Sequence, residues 1–174
     1  MAAVEFALAA PFLLLLLLGM ADLGLWLRGW SRLNRISAEL ADIITRRDRL
    51  DAAGLAAIVA AGQAMAGGID VTGDQGATII SAVQGSGAAN TMLWQKRTGS
   101  SRFASRFGKA GAAVVLPGQV LVRAGETVII AELFTSGGPW VLGRRLFAGS
   151  AAPDVIAGHA IYHPRGNLLA AEPQ

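Results

Sequence analysis

The chain contains no cysteine. A disulfide framework and a thiol nucleophile are therefore excluded, and an exported domain of this sequence must hold itself by packing alone. Histidine is nearly absent, with only His159 and His163. Val155, Ile156 and Ile161 around them read as a strand, on which positions four apart are separated by about 13 Å. That separation disfavours one metal ion held by both; the spacing would suit zinc on a helix. Lysine is scarce, since all but two of the 15 basic residues are arginine. The arginines are spread rather than gathered in one patch and the formal net charge is +3, which is not a nucleic-acid balance. Gly108-Lys109-Ala110-Gly111 lacks the phosphate-loop pattern. The serines have no adjacent His/Asp pattern. Glu126 and Glu132 share a strand face but lie too far apart to work as a carboxylate pair. No catalytic constellation, cofactor site, metal site or small-molecule substrate is evident, so the sequence reads as a non-enzyme.

Charge is also missing near the start. Residues 6–21 carry none, and leucine runs unbroken from 13 to 18. From Phe6 to Leu27 only Asp22 interrupts the apolar run. Such a helix is about 33 Å long at about 1.5 Å per residue, roughly the thickness of a bilayer core. A secretory signal fits less well, because no basic segment precedes the run and no A-x-A-like site follows it. Trp26 and Trp30 lie four apart on one helix face, flanked by Arg28 and Arg32, and read as an aromatic belt with a stop signal. Arg28, Arg32 and Arg35 follow the anchor and no basic residue precedes it. Taken alone, the positive-inside rule would put the C-terminal side in the cytoplasm.

Glu5 stands at the head of this helix. A carboxylate at the edge of hydrocarbon is costly and by default points to function, with a cation at the same depth as its natural partner. A first-turn residue favoured by the helix dipole is the plainer reading. The candidate cation is an α-amino group, the chain's own or a neighbour's. Ala3, Ala7 and Ala10 place small residues on one face, where a second helix can approach closely. Pro11 removes one backbone donor there.

The segment Met-Ala-Ala-Val-Glu-Phe-Ala-Leu-Ala-Ala-Pro-Phe, residues 1–12, resembles the processed N-terminus of the TadE/TadF pseudopilins of the tight-adherence (Tad) pilus system. The hallmark of those proteins is a prepilin-peptidase site in which Gly is followed by four residues and then by Glu-Phe or Glu-Tyr. Glu5-Phe6 sits where that pair would after cleavage. Val4, Ala7, Leu8, Pro11, the leucines and Gly19 match the same pattern. Residues 77–83, Trp94-Gln95 and residues 125–134 resemble the family's later segments. So do Pro139 and His163-Pro164-Arg165, while Thr135 stands where an aromatic is common. The resemblance implies a minor pseudopilin, with Met1, Glu5, Phe6, Ala7 and Pro11 as assembly residues and Trp26, Arg28 and Trp30 at the membrane interface. The implied partners are other pilin or pseudopilin subunits, the inner membrane and, if a leader is processed, a prepilin peptidase. The implied location is the bacterial inner membrane, single pass, with the domain in the periplasm. A membrane-anchored scaffold or binding domain that never polymerises is the alternative.

Beyond the anchor, Leu33, Ile36, Leu40, Ile43, Ile44, Leu50, Leu55, Ile58, Val59 and Met65 recur at helical spacing. The charged segment at 46–51 reads as a solvated helix face or a break between two helices. Gly67-Gly68 ends the helical region. Residues 77–84 and 91–95 flank Gly85-Ser86-Gly87 as a hairpin. Residues 99–111 read as a loop or short helix. Residues 119–123 and 126–134 read as a second hairpin about Ala124-Gly125, and 154–162 as a last strand. Residues 127–134 are apolar on both alternating faces, as in a central strand. Glu132 within them is expected to be partly buried and paired with an arginine. The expected fold is α+β and pilin-like: a transmembrane and assembly helix at 1–30, then a domain at 31–174 with a helix at 31–67 and a mainly antiparallel sheet at 76–165.

Overall fold

A computed structural model describes residues 2–47, 49–137, 154–164 and 171–173. Its first element, α1, runs without interruption over Ala2–Thr45. Alanine and leucine dominate it, so little side-chain entropy opposes the helix. The charged segment after it resolves as a break. Asp51 then caps α2, Ala52–Ala66, its carboxylate accepting the Gly54 N–H at 2.8 Å. Gly67 closes α2 in the left-handed conformation (φ 53°, ψ 57°), as a glycine after the last helical residue should.

Five antiparallel strands follow: β1 Gly76–Gly85, β2 Asn90–Gly99, β3 Ala113–Val114, β4 Thr127–Ser136 and β5 Val155–Tyr162. Their order in the sheet is β3-β2-β1-β4-β5. The chain is α+β, with a long apolar helix and a second helix packed on an antiparallel sheet. The β1–β2 hairpin forms as its sequence predicts, with a bulge between Ala82 and Val83. The central-strand expectation also holds, because β4 lies between β1 and β5.

The two faces of the sheet are buried differently. Ile80, Ala82, Trp94, Ile129, Ala131 and Leu133 meet Leu33, Ile36, Leu40 and Ile44 of α1 and Leu55, Ile58 and Val59 of α2. On the other face Val83, Met92, Val128 and Ile130 pack with Val114, Leu116 and Val122, and Ile79 and Phe134 pack with Phe103. A segment with almost no regular structure, residues 100–123, thus does for one face what two helices do for the other. A sheet apolar on both faces needs two covering layers.

Gly158 sets how closely β5 approaches α1. A Cβ there would sit 2.5 Å from Asn34 N and 2.5 Å from Leu33 C, which are helix backbone. At the same crossing the Asn34 side-chain carbonyl accepts the His159 N–H at 3.2 Å. That bond satisfies one outward group of an edge strand.

Two expectations change. Residues 119–123 form no strand and hence no second hairpin. Their backbone groups are met by one side chain: Asn90 Nδ2 donates to Val120 O at 2.8 Å, and Asn90 Oδ1 accepts the Val122 N–H at 2.8 Å. Backbone pairing with the sheet there, among the described residues, is an isolated parallel bridge, Gly85 to Ala124. The strand that does pair with β2 is the two-residue β3. The helix expected over 31–67 is divided by the break after Thr45. Of the alternatives for residues 99–111, loop holds over 100–111, with turns but no helix. Pro139 and Arg165 lie outside the described residues.

Candidate functional site

From Ala3 to Ala21 every side chain of α1 is exposed except Ala10, which is half-buried. Phe6 is 68% exposed and Phe12 74%, and each leucine from 13 to 17 is more than half exposed. A continuous exposed apolar surface of this length is of the kind that marks contact with lipid or with other helices. The helix is long and apolar enough to cross a membrane, and none of its most apolar stretch is buried. Glu5 lies in the first turn with its side chain exposed. Ala3, Ala7 and Ala10 share its end of the helix. Pro11 lies inside the helix. Having no N–H, it leaves the Ala7 carbonyl without the usual donor four residues on. Small side chains and an orphan carbonyl therefore coincide within about two turns, a face suited to another helix. Met1 lies outside the described residues.

The second group, Trp26, Arg28 and Trp30, lies where exposure gives way to burial. Asp22 is buried, and Gly29 and Leu33 begin the docked face. The Trp26 and Trp30 rings stack with centroids 6.4 Å apart and planes 2° from parallel. Trp26 is half-buried against the core, and its buried indole N–H has no acceptor among the described residues. Trp30 and Arg28 are exposed. Paired indoles beside a cation at the end of an apolar span have the composition of a membrane–water boundary. Ala7 and Trp26 are about 29 Å apart at about 1.5 Å per residue, so the two groups sit at opposite ends of one span.

The sheet carries one buried acid. Glu132 on β4 has no accessible surface. Arginine was expected as its partner through charge. Instead the Arg106 backbone N–H donates to Oε1 at 2.9 Å, and the Ser105 hydroxyl donates to Oε2. The Arg106 guanidinium lies over the Phe134 ring, 5.8 Å from its centroid. His159 is the register partner of Glu132 on β5, and its ring lies 5.6 Å from that of Phe107. Burial pushes the Glu132 carboxyl above its ordinary value. The Ser105 and Arg106 hydrogen bonds and the Arg106 and His159 charges offset only part of that push. Its bonds clip residues 105–106 to the sheet. Asp70 behaves oppositely: burial raises its pKa, but the N–H groups of Gln75, Gly73 and Thr72 outweigh burial and hold it below the ordinary carboxylate range. Both acids bind the protein's own backbone and order loops. His163 follows β5 and is exposed. No cluster of metal-ligating side chains occurs among the described residues.

The model of the TadE-like protein family matches residues 1–42. The chain carries a TadE-like N-terminal segment. The match runs nearly the length of α1, so the TadE-like portion is the element that is exposed in its first half and docked on the sheet in its second. It is consistent with a Tad pilus-associated protein, as the N-terminal residues led us to expect. No curated protein and no solved structure matches the chain.

Sequence reasoning picked out both groups on α1. It missed Asn34, Asn90 and Ser105, whose work is to satisfy backbone or carboxylate groups far away in sequence. Nothing in their immediate sequence neighbours marks them out.

Proposed function

We propose that the chain is a structural minor pseudopilin that takes part in assembly or priming of a Tad (type IVc) pilus through its N-terminal helix. The observation that carries this reading is the TadE-like match on α1, whose first half leaves its side chains exposed to whatever surrounds it. The domain built on the second half of α1 faces the periplasm in this reading. The partners are other pilin or pseudopilin subunits, and no chemistry is performed.

The proposed contact is electrostatic. In a staggered helical assembly the head of one subunit's helix lies beside its neighbour's, where a free α-amino group meets the Glu5 carboxylate in apolar surroundings. Each charge offsets part of the other's burial cost, and removing one leaves the other uncompensated, typically about 3–5 kcal/mol. Glu5→Ala is expected to reach the membrane at normal levels and to be lost from the filament fraction. Glu5→Asp should be intermediate, since it keeps the charge but shortens its reach. Quantifying both variants in membranes and in sheared pili is the test. Glu5→Ala found in pili at wild-type levels would reject the contact and favour an anchored scaffold that never polymerises. A neighbouring helix at the alanine face makes a steric demand as well. Ala7→Phe should reduce crosslinking to other subunits while leaving thermal unfolding of the domain unchanged.

A further inference from the structure

Immediately beyond the stacked tryptophans, α1 and the end of α2 enclose a groove of about 570 Å³. Arg28, Arg32, Arg35 and Glu39 of α1 line it together with Met65 of α2. The three arginines are spaced four and three apart, so at about 100° per residue they fall within about 60° of the helix circumference. Their stripe rises about 10 Å along the axis, comparable with a headgroup layer. All three are exposed. Arg28 has no acidic partner among the described residues. Arg35 Nε meets Glu39 Oε1 at 3.0 Å. Arg32 is anchored, with Nε and Nη2 both donating to the Met65 carbonyl at 3.3 and 3.0 Å. This anchoring leaves no room at Gly67, where a Cβ would lie 2.1 Å from Arg32 Nη2. Arg32 is thus held in place before any ligand arrives, with Nη1 outside those bonds. One carboxylate among three guanidiniums leaves an excess of positive charge in the groove.

We propose that this groove binds the phosphodiester headgroup of an anionic phospholipid. Guanidinium groups match phosphate oxygens in geometry as well as charge. The tryptophans place the groove at headgroup depth, and a basic cluster at that depth attracts anionic lipid. Glu39 at the far end repels phosphate and directs it toward Arg28 and Arg32. The arrangement gives a use to arginines that oppose the positive-inside bias if the domain is exported. The inference rests on α1 crossing a membrane and is independent of any role in pilus assembly.

The test uses the full chain in nanodiscs of phosphatidylcholine with and without phosphatidylglycerol. Lipid retained after mild detergent extraction is identified by mass spectrometry. Wild type should retain phosphatidylglycerol in preference to phosphatidylcholine. Replacing Arg28 and Arg35 together by Gln should lower that preference about fivefold per charge removed, and replacing both by Lys should keep most of it. Arg32 is left intact because it ties the two helices together. Carbonate-resistant insertion, measured in parallel, should be the same in all three proteins. Equal retention of the two lipids, or a Gln variant that retains phosphatidylglycerol like wild type, overturns the proposal. Displacement of the lipid by inorganic phosphate at constant ionic strength reassigns the groove to a free anion. Loss of the Gln variant from pili with unchanged lipid retention reassigns it to a subunit contact. Wild type extracted by carbonate would remove the membrane premise itself, a failure the lipid measurement cannot mimic.

Discussion

The two halves of α1 are one helix in two environments. From Ala3 to Ala21 leucine, phenylalanine and alanine point outward on every side, and the one acid of that stretch, Glu5, stands at its head. In the second half Leu33, Ile36, Leu40, Ala41 and Ile44 form a single buried stripe, while arginines and acids occupy the rest. Both halves are α-helical, with only Pro11 lacking its N–H, so the difference lies in what must cover the side chains. An amphipathic helix buries one stripe in its own domain; a helix apolar all round needs a surrounding that the chain does not supply. The two halves should therefore respond differently to the same change.

The largest difference is expected between two glycines. Gly158→Ala puts a methyl into the backbone of α1, and no flexible side chain can move aside. Its cost should exceed the roughly 1–3 kcal/mol of ordinary over-packing. The domain should lose its cooperative thermal transition by circular dichroism. Gly24→Ala, on α1 with nothing within 4 Å, should leave the domain transition unchanged. If both variants melt like wild type, the close docking of β5 on α1 is not what holds the domain.

Next comes truncation of apolar side chains. Ile130 is fully buried on the central strand, so Ile130→Ala should cost about 2–5 kcal/mol, a large part of the stability of such a domain. Leu15→Ala removes the same three carbons from an exposed position and should leave chemical denaturation of the domain within about 0.5 kcal/mol of wild type. Equal losses in the two variants would mean that the span and the domain unfold as one unit.

The smallest effect is a pH slope. Because burial raises the Glu132 carboxyl in the folded state, its contribution is fully present below its unfolded value. That contribution is lost as pH rises through the folded value. Asp70 has the opposite sign: its contribution is present above its unfolded value and is lost as pH falls through the depressed folded value. Glu132→Gln should remove the loss toward neutral pH, narrowing the gap in melting temperature between mildly acid and neutral buffer. Asp70→Asn should instead lose stability mainly at neutral pH. An unchanged slope for Glu132→Gln would show that the clip to Ser105 and Arg106 titrates as it does in the unfolded chain.

Much of the fold was legible because it rests on local repetition. The helical spacing of Leu33, Ile36, Leu40 and Ile44, the two apolar faces of 127–134, and Gly67 after α2 each state their role within a few residues. Residues 100–123 carry no such period. Residues 99–111 were read as a loop or short helix and 119–123 as a strand, yet apart from the short β3 the segment is irregular and covers a sheet face with Phe103, Leu116 and Val122. The candidate site divides the same way: Glu5, Ala7, Pro11 and the two tryptophans stand out by position, whereas the partners of Glu132 do not.

Sequence alone was enough to find a helix long and apolar enough to cross a membrane, the two tryptophans at its end and the central strand. Hydrophobicity and periodicity are properties of neighbouring residues and need no fold to be read. Tertiary structure alone decided that Asn90 would satisfy Val120 and Val122 in place of a strand ladder. It also decided that Ser105 and the Arg106 N–H would hold Glu132, and that Arg32 would reach Met65 to shape a basic groove. Each of these joins polar groups about 26 to 33 residues apart in the chain. Burial obliges such groups to find partners, but only the folded path of the backbone determines which partner is near.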